Sequence, residues 1–139
     1  GLDRMFLSVL SASYTEEKLE DGSERTVLKI PAALAPYKIA VLPLIKKDGL
    51  PEKAQEIMRM LQLDYTIQYD EKDSIGKRYR RQDAIGTPFA ITVDHETLES
   101  NTVTIRNRDT MIQERISIDS LPAFLNAHCS WSSILGALA

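Results

Sequence analysis

Hydrophobic positions along the chain change their spacing several times, and each spacing predicts a different element. Between Asp3 and Tyr14, apolar residues recur at helical intervals, which predicts an amphipathic helix with Asp3 as its N-terminal cap. Residues 15–24 include five acidic side chains and an Asp-Gly pair, so they predict a solvated linker or a long turn. A short strand is expected at Thr26–Ile30.

From residue 39 onwards, strands of the buried type alternate with amphipathic helices. Ile39–Ile45 and Phe89–Val93 are almost entirely apolar, which is typical of strands that are covered on both faces. Apolar residues recur at i, i+3, i+4 and i+7 over Ala54–Leu61, which predicts one helix. A second helix is expected to begin after a cap at Ser74 and to end at Gly86.

The remaining pattern predicts three more strands and a last helix. Tyr65–Tyr69 alternates as a half-exposed strand, and Thr102–Arg106 and Gln113–Ile118 alternate on either side of a polar turn, which indicates an antiparallel hairpin. Asp119 or Ser120 is expected to cap the last helix. This order of elements predicts an α/β fold with a mixed sheet and helices on its faces.

Composition and charge restrict the class of protein. The chain has 139 residues, of which 43% are hydrophobic and 27% are charged, so it is long enough for one domain with a real core. The net charge of −3 argues against binding nucleic acid over the whole surface. The single cysteine excludes an internal disulfide, so a reducing, cytoplasmic location is expected, and the histidine and cysteine spacing predicts no metal site. No apolar run reaches the length of about 20 residues that spans a bilayer.

The second helix carries the most informative charge pattern. Four of the six residues from 77 to 82 are cations, namely Lys77, Arg78, Arg80 and Arg81. Ile75 and Tyr79 share one helix face and are expected to dock on the sheet, which leaves the four cations on the remaining surface. Arginine donates to phosphate in a planar fork and stacks on bases, so this pattern fits RNA. A solvated helix surface without a ligand has the same pattern.

A second polar cluster surrounds the predicted hairpin turn and consists of Arg106, Arg108, Asp109 and Gln113. Exposed side chains of these types can bond to the edges of unstacked bases, which is how proteins usually read single-stranded RNA. Polar hairpin turns are common, however, so this cluster alone does not indicate RNA binding.

Signatures of an active site are missing from the sequence. The chain has no phosphate-binding glycine loop, no dinucleotide fingerprint and no nucleophile elbow. Cys129 adjoins His128, where neighbouring side chains point apart, and Asp94 with His95 predicts a surface turn. We therefore expect no complete active site in this chain.

Three segments resemble one protein family. Residues 28–44, 74–89 and 106–111 are similar to the C-terminal part of glycyl-tRNA synthetases of the dimeric class II type, and the run from Ser74 to Asp83 is the most specific of them. Asn107 stands where that family more often has Asp. The similarity extends to about Phe124 and fits the glycine enzyme better than its threonine, proline or histidine relatives.

This resemblance implies a fold and a function. The fold would be a three-layer anticodon-binding domain with a mixed, mostly five-stranded sheet, over residues 25–128. Residues 1–24 would be a remnant of the catalytic domain's motif 3 helix with a linker, and residues 129–139 a tail. Lys77, Arg78, Arg80 and Arg81 would contact the RNA backbone and stack on bases. The base edges would be read by Arg106, Arg108, Asp109 and Gln113.

The resemblance also implies partners and cofactors. The partner would be the anticodon stem-loop of tRNA(Gly), whose anticodon ends in two cytosines. Arg4 matches the motif 3 arginine that contacts ATP, although motifs 1 and 2 do not occur in this chain. The parent enzyme would use ATP and Mg and form a homodimer. The chain itself is expected to need no cofactor, to be a monomer away from membranes, and not to catalyse.

Two other functions are compatible with the sequence. One is a free-standing accessory protein with the same fold, such as a processivity subunit of the mitochondrial DNA polymerase. The other is a small doubly wound enzyme or nucleotide binder with a ligand crevice near Pro43 or Asp70. Binding to an anticodon stem-loop, to duplex DNA and to free nucleotides would distinguish the three.

Overall fold

A computed structural model of the chain describes Arg4, Leu7 and residues 11–129. Two short 3₁₀ helices lie at Ala32–Leu34 and Ile118–Ser120. The other elements are β1 (Tyr14–Lys18), β2 (Glu24–Leu28), β3 (Ile39–Pro43), α1 (Leu50–Leu61), β4 (Ile67–Tyr69), α2 (Ile75–Ile85), β5 (Phe89–Val93), α3 (His95–Ser100), β6 (Thr102–Asn107), β7 (Gln113–Ser117) and α4 (Leu121–Cys129).

The central sheet has five strands in the order β4-β3-β5-β6-β7. β3 pairs in parallel with both β4 and β5, whereas β6 and β7 pair antiparallel at the other side. All residues of β3 and β5 are buried, as their continuous apolar sequence predicts. The mixed five-stranded sheet with flanking helices confirms the predicted fold class.

The two faces of the sheet are covered by different helices. α1 and α4 pack on one face and contribute Leu50, Ile57 and Leu121 to the larger core. α2 covers the other face, where Ile75 and Tyr79 pack on a small cluster of strand residues, as predicted. The sheet is therefore the middle of three layers, and α2 presents its outer surface to solvent. No helix among the described residues is long and apolar enough to cross a bilayer.

The acidic segment before the sheet is not the linker that was predicted for residues 15–24. β1 and β2 form an antiparallel hairpin that includes most of this segment, with Glu17 opposite Arg25. Glu17 accepts bonds from Arg25 and Lys29, so the charge of this carboxylate is compensated within and next to the hairpin. Val27 is fully buried and fixes the hairpin to the domain. The predicted boundary between residues 24 and 25 therefore falls at the start of β2.

The first and last predicted segments lie mostly outside the described residues. The helix expected at Asp3–Tyr14 lies mostly outside the described residues; Arg4, Leu7 and residues 11–13 are helical, and Tyr14 already belongs to β1. Of the tail expected at residues 129–139, only Cys129 is described, and it is the buried last residue of α4. The rest of that tail also lies outside the described residues.

Capping side chains determine where several helices begin and end. Ser74 accepts a bond from the backbone N–H of Lys77, and Gly86 ends α2 in the left-handed conformation, as predicted. The surface turn predicted at Asp94 and His95 is wrong, because Asp94 caps the short helix α3 through a reciprocal pair of bonds with Thr97. Ser117, rather than either predicted residue, caps the 3₁₀ helix that leads into α4.

Candidate nucleic-acid interface

Arg78 does not lie on the surface of α2, which corrects its predicted exposure. Only 2% of the residue is exposed, and its guanidinium donates to the backbone oxygens of Pro43, Leu44 and Asp70. Pro43 is the last residue of β3, and Leu44 and Asp70 directly follow β3 and β4. Arg78 thus ties α2 to the carboxyl ends of both strands.

Arg80 and Arg81 keep much of their side chains exposed, but each faces carboxylates of the same chain. Arg81 pairs with Asp70 and Asp73 at 2.7 Å, and 43% of its side chain is exposed. Arg80 lies 3.4 Å from Asp83 and lines a cleft of about 470 Å³ whose other wall is the acidic β1–β2 turn. The positive charge of both arginines is therefore partly compensated.

Lys77 is the remaining member of the basic run. It is exposed, and within residues 11–129 its ammonium group has no ion pair or hydrogen bond. Two further exposed lysines, Lys46 and Lys47, lie in the loop that follows β3. The sequence reasoning missed both, although a Lys-Lys pair at the end of a buried strand is a visible signal for a charged sheet edge.

A buried network of opposite charges lies between α2, β2 and β6. Arg106 donates to both oxygens of Asp83 at 2.8 and 3.1 Å, and Arg25 donates to one of them at 3.1 Å. Asp83 is fully buried, and Arg25 and Arg106 are 2% and 4% exposed. Arg106 also lies 4.8 Å from the ring centre of Tyr79. The exposure predicted for Arg106 is wrong, because its carboxylate partner is inside the domain.

Arg108 at the hairpin turn is also buried, and its predicted exposure is wrong. Its guanidinium donates to the backbone oxygen of Gly86 at 2.8 Å and to the carboxylate of Asp109. Its own backbone oxygen accepts a bond of 2.8 Å from Arg25. Arg108 thus connects the β6–β7 turn to the end of α2 and to the β1–β2 hairpin, while Asp109 stays exposed.

Gln113 is exposed on β7, as predicted, and lies opposite Arg106 in the register of the sheet. Residues directly opposite each other share one face of a sheet, so Gln113 faces the α2 side. The next pair across the strands, Ile105 and Glu114, faces the other side. There a pocket of about 230 Å³ lies between the hairpin and α4, lined in part by Phe124.

The remaining candidates are the side chains that could act as a nucleophile, a base, a metal ligand or an ATP contact. Cys129 is buried, and burial raises the pKa of its thiol to about 11, so it is not an activated nucleophile. His128 stacks on Phe124 at 4.2 Å between ring centres. Among the described residues, no group of three or more His, Cys, Asp and Glu could hold a metal ion. Arg4 is helical and exposed.

Comparison with known proteins places this arrangement in a family. The family described as "Anticodon binding domain" matches residues 38–128. The chain is 54% identical over 127 residues to a glycine–tRNA ligase of Mycoplasma mycoides subsp. mycoides SC and 52% identical over 126 residues to one of Clostridium tetani. Each match covers 91% of this chain and 27% of the relative, so the chain spans about a quarter of the length of these relatives.

Two solved structures share the fold. The RNA binding domain of threonyl-tRNA synthetase from Cryptosporidium parvum superimposes with a TM-score of 0.66 and 23% identity, over 73% of this chain and 26% of that one. Prolyl-tRNA synthetase from the same organism, complexed with L-proline and AMP, gives a TM-score of 0.66 and 17% identity, over 81% of this chain and 30% of that one.

Proposed function

The chain belongs to the anticodon-binding domain family, and from that membership we propose that it binds the anticodon stem-loop of tRNA(Gly) as the C-terminal domain of a glycyl-tRNA synthetase. The observation that carries this proposal is the match of residues 38–128 to the family, together with about 50% identity to glycine–tRNA ligases. These relatives do not favour the free-standing accessory protein as the alternative.

The parent enzyme would ligate glycine to tRNA(Gly) with ATP and Mg, as a homodimer in the cytoplasm. In that reaction this chain would hold the RNA, while the residues that activate glycine would belong to the longer remainder of the protein. Arg4 is the one residue proposed to contact ATP. We propose that the chain on its own is a monomer that binds RNA without a cofactor.

The geometry divides the predicted RNA contacts into two groups. The first group is exposed or half-exposed and would touch RNA directly; it contains Lys77, Arg80, Arg81, Asp109 and Gln113. The cations would contact phosphates and stack on bases, and Asp109 with Gln113 would read base edges. The second group contains Arg78, Arg106 and Arg108, which would support the interface from inside the domain.

Direct binding measurements test this proposal. A fluorescently labelled anticodon stem-loop of tRNA(Gly) is titrated with the chain at two salt concentrations, with duplex DNA and free nucleotides as competitors. We expect the stem-loop to bind and neither competitor to displace it at similar concentration. Displacement by duplex DNA would instead support the accessory protein, and displacement by nucleotides would support the nucleotide binder.

Two variants assign roles to the exposed residues in the same assay. Arg80→Ala should weaken binding of all RNAs and reduce its salt dependence, since it removes a phosphate contact. Gln113→Ala should change the preference at one base and leave the salt dependence unaltered. Lys53→Ala is the matched control, because it removes a cation from α1 on the opposite face of the sheet. If both test variants bind like this control, the proposed interface is misplaced.

A further inference from the structure

Three lysines lie in the segments that follow β3 and β4, two parallel neighbouring strands whose carboxyl ends share one edge of the sheet. Lys46 and Lys47 belong to loop 44–49, which follows β3, and Lys77 lies in the first turn of α2. Lys77 and Lys46 both act, after Arg81, to lower the pKa of the exposed Asp73, so the two segments border one surface. Within residues 11–129, none of the three ammonium groups forms an ion pair.

The neighbouring carboxylates already have other partners. Asp73 pairs with Arg81 at 2.7 Å, and Asp48 pairs with the imidazole of His95 at 2.9 Å. The three ammonium groups are therefore available to an external anion. Arg80 and Arg81 differ, because each pairs with a carboxylate of the same chain.

Buried Arg78 fixes the two segments relative to each other. Its guanidinium donates to Pro43 and Leu44, where loop 44–49 begins, and at 3.2 Å to the backbone oxygen of Asp70, which directly follows β4. Because Arg78 is itself part of α2, these bonds hold the loop beside the first turn of the helix. Arg78 is thus a positioning residue for this lysine surface.

Gly76 lies next to Lys77 and has no structural reason to be glycine within the described chain. Its φ is not positive, so an L-residue can adopt the same conformation. A Cβ built on it would meet no atom within 4 Å. Glycine weakens a helix relative to alanine, so its presence costs stability here. The remaining use of a glycine is to let an external group approach the backbone closely.

We propose that Lys46, Lys47, Lys77 and Gly76 form one surface that receives the sugar-phosphate backbone of the bound RNA. This inference rests on the proposed RNA binding and extends it from α2 to loop 44–49. The surface lies at the carboxyl end of β3, which has β4 on one side and β5 on the other. The chain runs from β3 to β4 and then returns across β3 to β5, and open α/β sheets form ligand crevices at such a change of direction. Its contacts would be independent of base sequence.

Gly76→Ala provides the sharpest test, because stability and binding should change in opposite directions. We expect the urea midpoint of unfolding to stay the same or rise, since alanine favours the helix and its Cβ meets open space. The affinity of the chain for the labelled tRNA(Gly) stem-loop should fall about fivefold or more. A lower urea midpoint would overturn the argument that the fold does not require this glycine.

A triple variant tests the charge of the same surface. Replacing Lys46, Lys47 and Lys77 with alanine should weaken binding of every stem-loop and reduce the slope of log K against log salt by about 2, at roughly 0.7 per phosphate contact. Arg59→Ala is the control, since this exposed cation of α1 lies on the opposite sheet face and forms no ion pair with any other described residue. Normal binding by Gly76→Ala and by the triple variant would overturn this inference alone. A wild-type chain that binds no stem-loop would overturn the proposed function as well.

Discussion

Arg106 and Asp83 form a two-bond ion pair inside the domain, with donor–acceptor distances of 2.8 and 3.1 Å. The pair joins β6 to α2, and Arg25 extends it to the β1–β2 hairpin. A basic helix next to a basic hairpin turn therefore does not present all of its arginines to RNA. Part of this positive charge holds the elements of the domain together, and the exposed cations carry the proposed binding.

Removing the central carboxylate should destabilise the fold strongly. Asp83→Asn leaves Arg25 and Arg106 buried without their counter-charge, so the free energy of unfolding should fall by about 3–5 kcal/mol. Asp73→Asn is the matched control, because it removes an acidic partner of the exposed Arg81 near the start of the same helix and should change stability little. Urea unfolding followed by circular dichroism measures both. Equal stability of the two variants would contradict the structural role of the network.

The stability of the β1–β2 hairpin should depend on pH through Glu17. Hydrogen bonds from Lys29 and Arg25 hold the pKa of Glu17 below its usual value of 4.5. A carboxylate with a lowered folded-state pKa stabilises the fold above its unfolded pKa, and that stabilisation is lost as the pH falls through the folded pKa. We expect the free energy of unfolding to fall with pH below 4.5, and to fall less steeply in Glu17→Gln.

Glu114→Gln is the control for this measurement, because Glu114 is exposed and forms no ion pair within the described residues. Urea unfolding at several pH values between 3 and 7 gives the comparison. If Glu17→Gln follows the same pH profile as the control, the ion pairs of Glu17 do not stabilise the hairpin.

Gly86 should be the least replaceable of the glycines in turns. Its φ is +86°, and a Cβ would lie 3.0 Å from Ile30 and 3.2 Å from the backbone oxygen of Leu28. Gly86→Ala should lower the free energy of unfolding by about 2–4 kcal/mol, from left-handed strain and overpacking together. Gly22→Ala has a similar φ of +87° but open space around the Cβ, so it should lose only about 1–2 kcal/mol. If the two variants lost the same free energy of unfolding, the close approach of residue 86 to Leu28 and Ile30 would not contribute to stability.

Most of the sheet and its helices could be predicted from local sequence. The continuous apolar runs of β3 and β5, the cap at Ser74 and the stop at Gly86 are signals that lie within a few residues of one another. The similarity to glycyl-tRNA synthetases predicted the family, and the match of residues 38–128 to the anticodon-binding domain family confirms it. The β1–β2 hairpin was missed because β1 has no buried residue and hence no hydrophobic signal.

The burial of Arg78, Arg106 and Arg108 could not be predicted, for a different physical reason. Arginine is exposed in most proteins, and only its partners reveal the exceptions. Asp83 lies 23 positions before Arg106 in sequence, and the backbone oxygen of Pro43 lies 35 positions before Arg78. The sheet order brings these partners together, and local sequence does not reveal that order. The same applies to Lys46 and Lys77, which are 31 positions apart in sequence. Their segments are neighbours because β3 and β4 are parallel and adjacent in the sheet.

The isolated chain should have no catalytic activity of its own. The proposed ATP contact at Arg4 is a single residue of an active site whose other motifs do not occur in this sequence. We expect neither ATP–pyrophosphate exchange dependent on glycine nor charging of tRNA by the chain. Detectable aminoacyl-tRNA formation by the pure chain would refute this expectation.

Competition between two stem-loops tests the central claim, that this chain reads the anticodon of tRNA(Gly). The labelled tRNA(Gly) stem-loop, bound to the wild-type chain, is displaced by an unlabelled copy or by a copy whose two anticodon cytosines are replaced by uracils. If base edges are read, the altered copy should need about tenfold or higher concentration, since each lost base contact costs about 1–3 kcal/mol. Equal displacement by the two stem-loops would contradict anticodon recognition by this chain.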